Sequence, residues 1–258
     1  MIVEVKGVVT RTAAYAESDL LLTVFTEECG LISAFAKGGR SLKSRYLAPM
    51  QLFCYSLFLL YKKGEQYWVR DVDPIEGFFA IQSSIEKTAL AAYLCDVVNQ
   101  TATAQPDKPF LRLVLNSLYA LSEDKIDPHL LKAAFEIRAA ALLGFMPDLS
   151  ACRECGGTAG EFILDVMDGC LVCRACRARA PSDPALQDPS KGYHISLLTD
   201  AARAAMEYAI RCPLERLFSF RITGEDAVLF GKAAENYLIN HLERSFKSLA
   251  FFHEVNPL

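Results

Sequence analysis

Apolar and polar positions alternate with a period of two over the first eighty residues and with a period near 3.6 after that. Val3, Val5, Gly7 and Val9 alternate with their neighbours. Residues 20–26 are rich in strand formers and end at Cys29-Gly30, and residues 31–36 restart after that glycine, which predicts a hairpin. Residues 51–61 and 66–72 read as further strands joined by Lys62-Lys63-Gly64-Glu65. Five strands in about seventy residues predict a small barrel of the OB type.

From residue 81 the texture is helical. Ser83-Ser84-Ile85-Glu86 fits a capping box that opens a helix towards residue 104. Pro109 suits the first position of a helix through residue 122, and Asp127-Pro128 opens another over 129–143, stopped by Gly144. On this last helix His129, Lys132 and Glu136 form the polar stripe, and Arg138 lies on the apolar side. A charge in that place is read as a paired structural arginine, with a ligand-facing role as the alternative. Helical spacing returns over 196–210, 214–220 and 226–248. The fold class expected is α+β and multidomain: an OB-fold barrel in residues 1–80, then an all-α domain from 81–149 and 181–258, with an insert at 150–180.

The insert holds five of the nine cysteines. Cys152-x-x-Cys155 and Cys173-x-x-Cys176, with 17 residues between the pairs, have the spacing of a zinc ribbon. Four thiolates would close a tetrahedron with no open position, so one structural Zn2+ per chain is expected. Gly156-Gly157 supplies the backbone freedom a knuckle needs, and Cys170 is read as a spectator. Cys29, Cys54, Cys95 and Cys212 sit singly in apolar surroundings as small hydrophobes.

Composition adds one surprise. The 258 residues are 52% hydrophobic, which excludes disorder as a description of the whole chain, and the net charge is −4. Residues 1–80 are neutral, 81–149 carry −2, 150–180 are neutral, and 181–258 carry −2. Yet residues 29–64 contain no acid and six cations: Lys37, Arg40, Lys43, Arg45, Lys62 and Lys63. Such a basic face is the footprint of a phosphate-contacting surface, with a solvated loop as the alternative. Lys37, Arg40, Lys43 and Arg45 are expected to contact phosphates. Phe35 and Tyr46 flank the loop and are placed to stack on bases or to pack in the core, and for Phe35, in an alternating strand, the core reading prevails. Nucleotide-binding glycine loops, the G-x-S-x-G elbow and H-E-x-x-H are all absent from the sequence, so no enzyme is expected. The N-terminal residues lack the pattern of a signal peptide, and the longest uncharged run, 16 residues, contains Pro49; a cytoplasmic protein without membrane contact is expected.

Three stretches resemble the RecO family of bacterial recombination mediators. They are Glu17-Ser18-Asp19 through Thr26, continuing from Gly30 to Arg40; Phe135-Glu136-Ile137-Arg138 through Gly144-Phe145-Met146-Pro147 into Cys152-x-x-Cys155; and His241-Leu242-Glu243-Arg244 through Leu249. The resemblance implies an OB domain followed by a helical domain with a zinc-binding insert. It implies binding of single- and double-stranded DNA, annealing of complementary strands, and loading of recombinase onto strands coated by single-stranded-DNA-binding protein (SSB). Its implied partners are RecR and the acidic, apolar C-terminal tail of SSB, for which Lys132 and Arg138 are the candidate cations. A zinc-ribbon and OB factor of transcription or translation would share the motifs, but would not need so large a helical domain.

Overall fold

The computed structural model describes residues 1–41, 46–179 and 194–257. Strands β1 (Ile2–Tyr15), β2 (Asp19–Thr26), β3 (Gly30–Ala36), β4 (Tyr55–Lys63) and β5 (Gln66–Glu76) come first. Helices α1 (Ile85–Thr101), α2 (Lys108–Ser122) and α3 (Pro128–Leu142) follow, then strands β6 (Asp148–Cys152), β7 (Phe162–Asp165) and β8 (Cys170–Cys173). The chain continues through α4 (Arg174–Arg179), β9 (Ile195–Leu198), α5 (Asp200–Arg211), α6 (Gly224–Leu242) and α7 (Lys247–Val255). It is α+β, as the change of period predicts. No helix among the described residues is long and apolar enough to cross a membrane.

Two compact units emerge, 1–124 with 246–257, and 125–245. Compactness therefore groups α1, α2 and α7 with the barrel, rather than with the other helices as the sequence division at residue 80 would have it.

In the first unit the strands close a barrel in the order β1-β2-β3-β5-β4. Neighbours are antiparallel except β3 and β5, which run parallel and pair only at Ala34↔Tyr67 and Phe35↔Trp68. This is the OB-like arrangement the strand count suggested. Alternation sends Val5, Leu22, Val24, Ile32, Phe58 and Leu60 inward, each buried, and each large side chain so enclosed contributes about 1.5–3 kcal/mol. A bulge between Val9 and Arg11 turns Thr10 out of register. There its hydroxyl donates to Asn99 Oδ1 at 2.6 Å and its carbonyl accepts from Asn99 Nδ2 at 3.3 Å, which fixes α1 to the barrel. Gly30 takes a φ of +66°, and a Cβ on it would lie 2.3 Å from the Thr103 carbonyl oxygen, so only glycine lets the chain after α1 lie against β3. Ser84 caps α1 by accepting from Lys87 N, one residue beyond the capping box read from Ser83, while Glu86 binds the Ser84 hydroxyl. Asp107 caps α2.

In the second unit Asp127 caps α3 by accepting from His129 N and Leu130 N. Helix α3 packs against α5 and α6, and a four-stranded sheet forms in the order β6-β8-β7-β9. Three sequence expectations change here. The helix expected from residue 196 begins later: residues 196–198 fall in β9, paired along β7, and α5 starts only after Thr199 caps it. The single helix expected over 226–248 is broken: Glu243 adopts a left-handed φ of 50°, ending α6, and α7 starts at Lys247. The segment expected to be helical over 214–220 keeps only a short 3-10 turn at Leu214–Arg216.

Candidate nucleic-acid interface and metal centre

The basic loop leaves β3 through a tight turn. Gly39 N donates to Ala36 O at 3.2 Å and Ser41 N to Gly38 O at 3.1 Å. Gly38, at φ +64°, donates its N–H to Asp19 Oδ1 at 2.8 Å, while Arg40 N donates to Ser18 O at 2.9 Å and Arg40 Nη1 to Glu17 O at 3.3 Å. These bonds tie the start of the loop to the β1–β2 connection, so Lys37 and Arg40 project from a held backbone and both are exposed. Lys43 and Arg45 lie outside the described residues. Tyr46 packs against the edge of the barrel core.

Phe35 alternates with its neighbours but stands on the face opposite to the core reading. Its neighbours Ala34 and Ala36 face the core, and the phenyl ring stands on the outer wall, stacked on Trp68 at 4.8 Å between centroids and 29° between planes. Tyr15 lies 5.0 Å from Phe35 on the other side. Because Tyr61 pairs with Trp68 across β4 and β5, it occupies the same outer face. Tyr61, Lys63, Gly64, Gln66 and Trp68 line a surface hollow of about 640 Å³. Tyr61, Trp68 and Tyr15 escape sequence reading because strand register, which no local pattern carries, brings them together. Lys62 sits over the Tyr67 ring at 5.0 Å, and its bond to the Tyr67 hydroxyl followed by the charge of that group raises its pKa.

Lys132 and Arg138 are both placed elsewhere than their candidate role requires. Lys132 is 2% exposed: its ammonium donates to both Glu136 carboxylate oxygens, at 3.1 and 3.0 Å, and to Glu235 Oε2 at 2.7 Å. Burial alone would lower its pKa, but Glu136 and Glu235 outweigh burial and leave the pKa raised. The stripe that reads as solvent-facing is an internal ion triad. Arg138 Nε donates to Ala209 O at 2.6 Å, and Nη2 donates to Cys212 O, which satisfies carbonyls at the C-terminal end of α5 with a cation, where the helix dipole favours one. The structural reading of Arg138 describes what it does. Lys132 is saturated from within, and Arg138 is half-buried with Nε and Nη2 turned to the end of α5, so the two do not form an exposed pair of cations.

The four cysteines of the CxxC pairs come together. Cys152 ends β6 and Cys155 follows in the knuckle, closed by Gly156 N donating to Cys152 O and Cys152 N to Gly157 O, each at 2.8 Å. Cys173 ends β8 and Cys176 lies on the first turn of α4. All four Sγ atoms lie within 4.8 Å of one another, with Cys155 and Cys173 3.8 Å apart. A tetrahedral metal–thiolate centre with bonds of about 2.3 Å has edges of about 3.8 Å, so the donors fit a metal ion. Cys152 illustrates the electrostatics: burial would raise its pKa, but backbone N–H groups of Cys173, Cys155 and Glu154 bind the sulfur and bring it down to about 6. The Cys173 N–H lies 3.2 Å from Cys152 Sγ and the Cys176 N–H 3.4 Å from Cys173 Sγ, an outer shell suited to thiolates. Cys170 is outside the cluster and accepts from Arg153 Nη1 at 3.1 Å.

Comparison with known proteins finds two family models along the chain. Residues 1–78 match the family described as "Recombination protein O N terminal", and residues 82–250 match "Recombination protein O C terminal". Among curated relatives, "DNA repair protein RecO" of Acetivibrio thermocellus is 32% identical over 98% of this chain and 96% of its own length. Proteins of the same name from Alkaliphilus metalliredigens and Listeria monocytogenes are 29% and 26% identical, over 99% and 97% of this chain and 100% and 94% of their own lengths.

Proposed function

Since the chain belongs to the recombination protein O (RecO) family of DNA repair proteins, we propose that it acts as a recombination mediator that binds single- and double-stranded DNA and anneals complementary strands. In this reading it works with RecR to load recombinase onto SSB-coated strands, in the cytoplasm at the nucleoid. The observation that carries the DNA-binding part is the acid-free stretch from residue 29 to 64, whose Lys37 and Arg40 project from a pinned turn on the barrel. Lys37, Arg40, Lys43 and Arg45 supply phosphate contacts, which bind without regard to sequence and weaken with salt. Tyr46, packed at the core edge, is left a supporting part below them.

The division of labour follows three modules: the barrel of residues 1–80 for DNA, the helical parts 81–149 and 181–258 for protein partners, and the insert 150–180 for zinc. One Zn2+ held by Cys152, Cys155, Cys173 and Cys176 would fix the ends of β6 and β8 and take no part in chemistry. For the acidic, apolar SSB tail, support comes from a groove of about 700 Å³ lined by Ile195, Leu197, Leu229 and Ile239, with Lys232 at its rim. Lys232 takes the place for which Lys132 and Arg138 were candidates.

The test combines the purified protein with labelled complementary oligonucleotides, with and without divalent metal. Annealing without strand cleavage supports the reading; cleavage, or no binding to either form of DNA, overturns it.

A further inference from the structure

The outer wall of the barrel is not uniform. Near α2 it is covered: Phe25 is fully buried, with Phe110 5.7 Å away. Along Tyr61–Trp68–Phe35–Tyr15 it stays open, with Tyr61 45% and Tyr15 48% exposed. Register places Tyr61, Trp68 and Phe35 on the adjoining strands β4, β5 and β3, and Tyr15, on β1 beyond β2, reaches Phe35 with its ring, so that Phe35 is in contact with both Trp68 and Tyr15. Phe35 lies 4.8 Å from Trp68 and 5.0 Å from Tyr15 between ring centroids, and Tyr61 stands one strand spacing of about 4.8 Å beyond Trp68. β3 even puts its alanines into the core and its one aromatic outside. A core-building strand has no reason to do that.

The row's ends are also defined. One end is the β4–β5 turn, where Gly64, at φ +61°, allows a two-residue hairpin and Lys63 stands exposed beside the hollow under Tyr61. The other end is the β1–β2 connection, to which the basic turn with Lys37 and Arg40 is tied. Asp19, an acid beside that turn, accepts from the Gly38 N–H. Cations bracketing flat apolar rings complement a polyanion that carries flat rings of its own, and unpaired nucleic acid is the ligand of that chemistry.

We infer that Tyr61, Trp68, Phe35 and Tyr15 form a base-stacking row through which the barrel tells unpaired strands from duplex. The inference rests on the DNA-binding reading above and adds what that reading lacks, since phosphates are present on both forms and the basic loop alone does not separate them. Duplex bases already stack on one another and show only their edges in the grooves, so the row gains little from them. Unpaired bases offer their faces to any aromatic, whatever the sequence.

Trp68 is the chain's single tryptophan, so its emission reports on the row directly. The full-length protein is titrated with a fluorescein-labelled oligothymidylate and with a duplex of equal length, reading tryptophan emission on unlabelled DNA and anisotropy on labelled DNA. The expected result is quenching by the single strand and little change with duplex. Phe35→Leu and Tyr15→Ala should each weaken single-strand binding by at least about 5-fold, the low end for one lost stack, and leave duplex binding within about 2-fold. Trp68→Phe, which keeps a ring, should stay close to wild type. Retained duplex binding also certifies that a variant is folded, and if one does not fold the wild-type quenching still decides. Oligothymidylate that binds without quenching, or aromatic variants that weaken both forms alike, overturns the row while the DNA-binding reading stands. Quenching by an acidic peptide but not by oligothymidylate overturns it in favour of a protein partner. Failure of the wild type to bind either form removes the DNA-binding reading itself.

Discussion

Two regions of this protein use cations in opposite ways. At the mouth of the barrel Lys37 and Arg40 are exposed, and the bonds at their turn, Arg40 Nη1 to Glu17 O among them, hold the loop in place. In the unit of residues 125–245, Lys132 is buried and answered by two carboxylates, and Arg138 is half-buried with Nε and Nη2 donating to backbone carbonyls at the C-terminal end of α5. The Cys152, Cys155, Cys173 and Cys176 cluster follows the second pattern, because its donors face one another. A side chain saturated from within holds the fold. One held in place but unsatisfied is available to a ligand.

The sharpest break of this contrast is at the cysteines. Replacing both Cys152 and Cys173 by serine should abolish metal binding, from about one zinc per chain to none by elemental analysis, and unfold the β6–β8 module, because structural zinc contributes apparent free energies of about 10–16 kcal/mol. Barrel binding to DNA should survive. Wild-type protein with less than about one zinc per chain, or a double variant that keeps its zinc, would show that the cluster is not the metal centre.

Next comes the buried triad. Lys132→Met leaves Glu136, which is fully buried, without its countercharge, and should cost about 3–5 kcal/mol in denaturant unfolding. Replacing Lys132, Glu136 and Glu235 together by apolar residues should recover most of that loss, which separates the cost of an orphaned charge from the worth of the triad. The pH dependence has a definite sign. Because the folded Lys132 pKa is raised, its contribution is complete below the ordinary lysine value of 10.5 and is lost as pH rises through the folded value. Wild-type unfolding free energy that stays flat through the alkaline range, or falls equally in the apolar triple variant, would remove that assignment.

The smallest effect on stability belongs to the barrel. Lys37→Glu with Arg40→Glu should leave the thermal midpoint unchanged and reduce DNA affinity at low salt. If Lys37, Arg40, Lys43 and Arg45 all contact phosphates, the slope of log K against log salt on single strands is about −3, and losing two contacts should bring it to about −1.5. A variant with the wild-type slope would move the phosphate contacts elsewhere.

What the sequence discloses is what local chemistry writes into it. Asp127 announces its helix because a cap bonds backbone two or three residues on, and the CxxC pairs announce a metal cluster because a knuckle fixes its own ligand spacing. Lys132 and Glu136 share a helix face with His129 and look solvated, because the partner that encloses them, Glu235, is 103 residues further along. β9 reads as helix because its pairing with β7 is remote, and the α6–α7 break depends on a left-handed Glu243 that helix propensity does not foresee. Phe35 is the clearest case. Alternation identifies two faces on β3, but only barrel closure decides which of them is inside.

That closure rests on little backbone. Between β3 and β5 the ladder has two register pairs, Ala34↔Tyr67 and Phe35↔Trp68, whereas β1 and β2 share eight. The shortest seam in the barrel is thus the one straddled on the outside by Phe35 and Trp68, whose stacked rings act as a clasp across it. At that seam the barrel is closed as much by packed side chains as by backbone pairing.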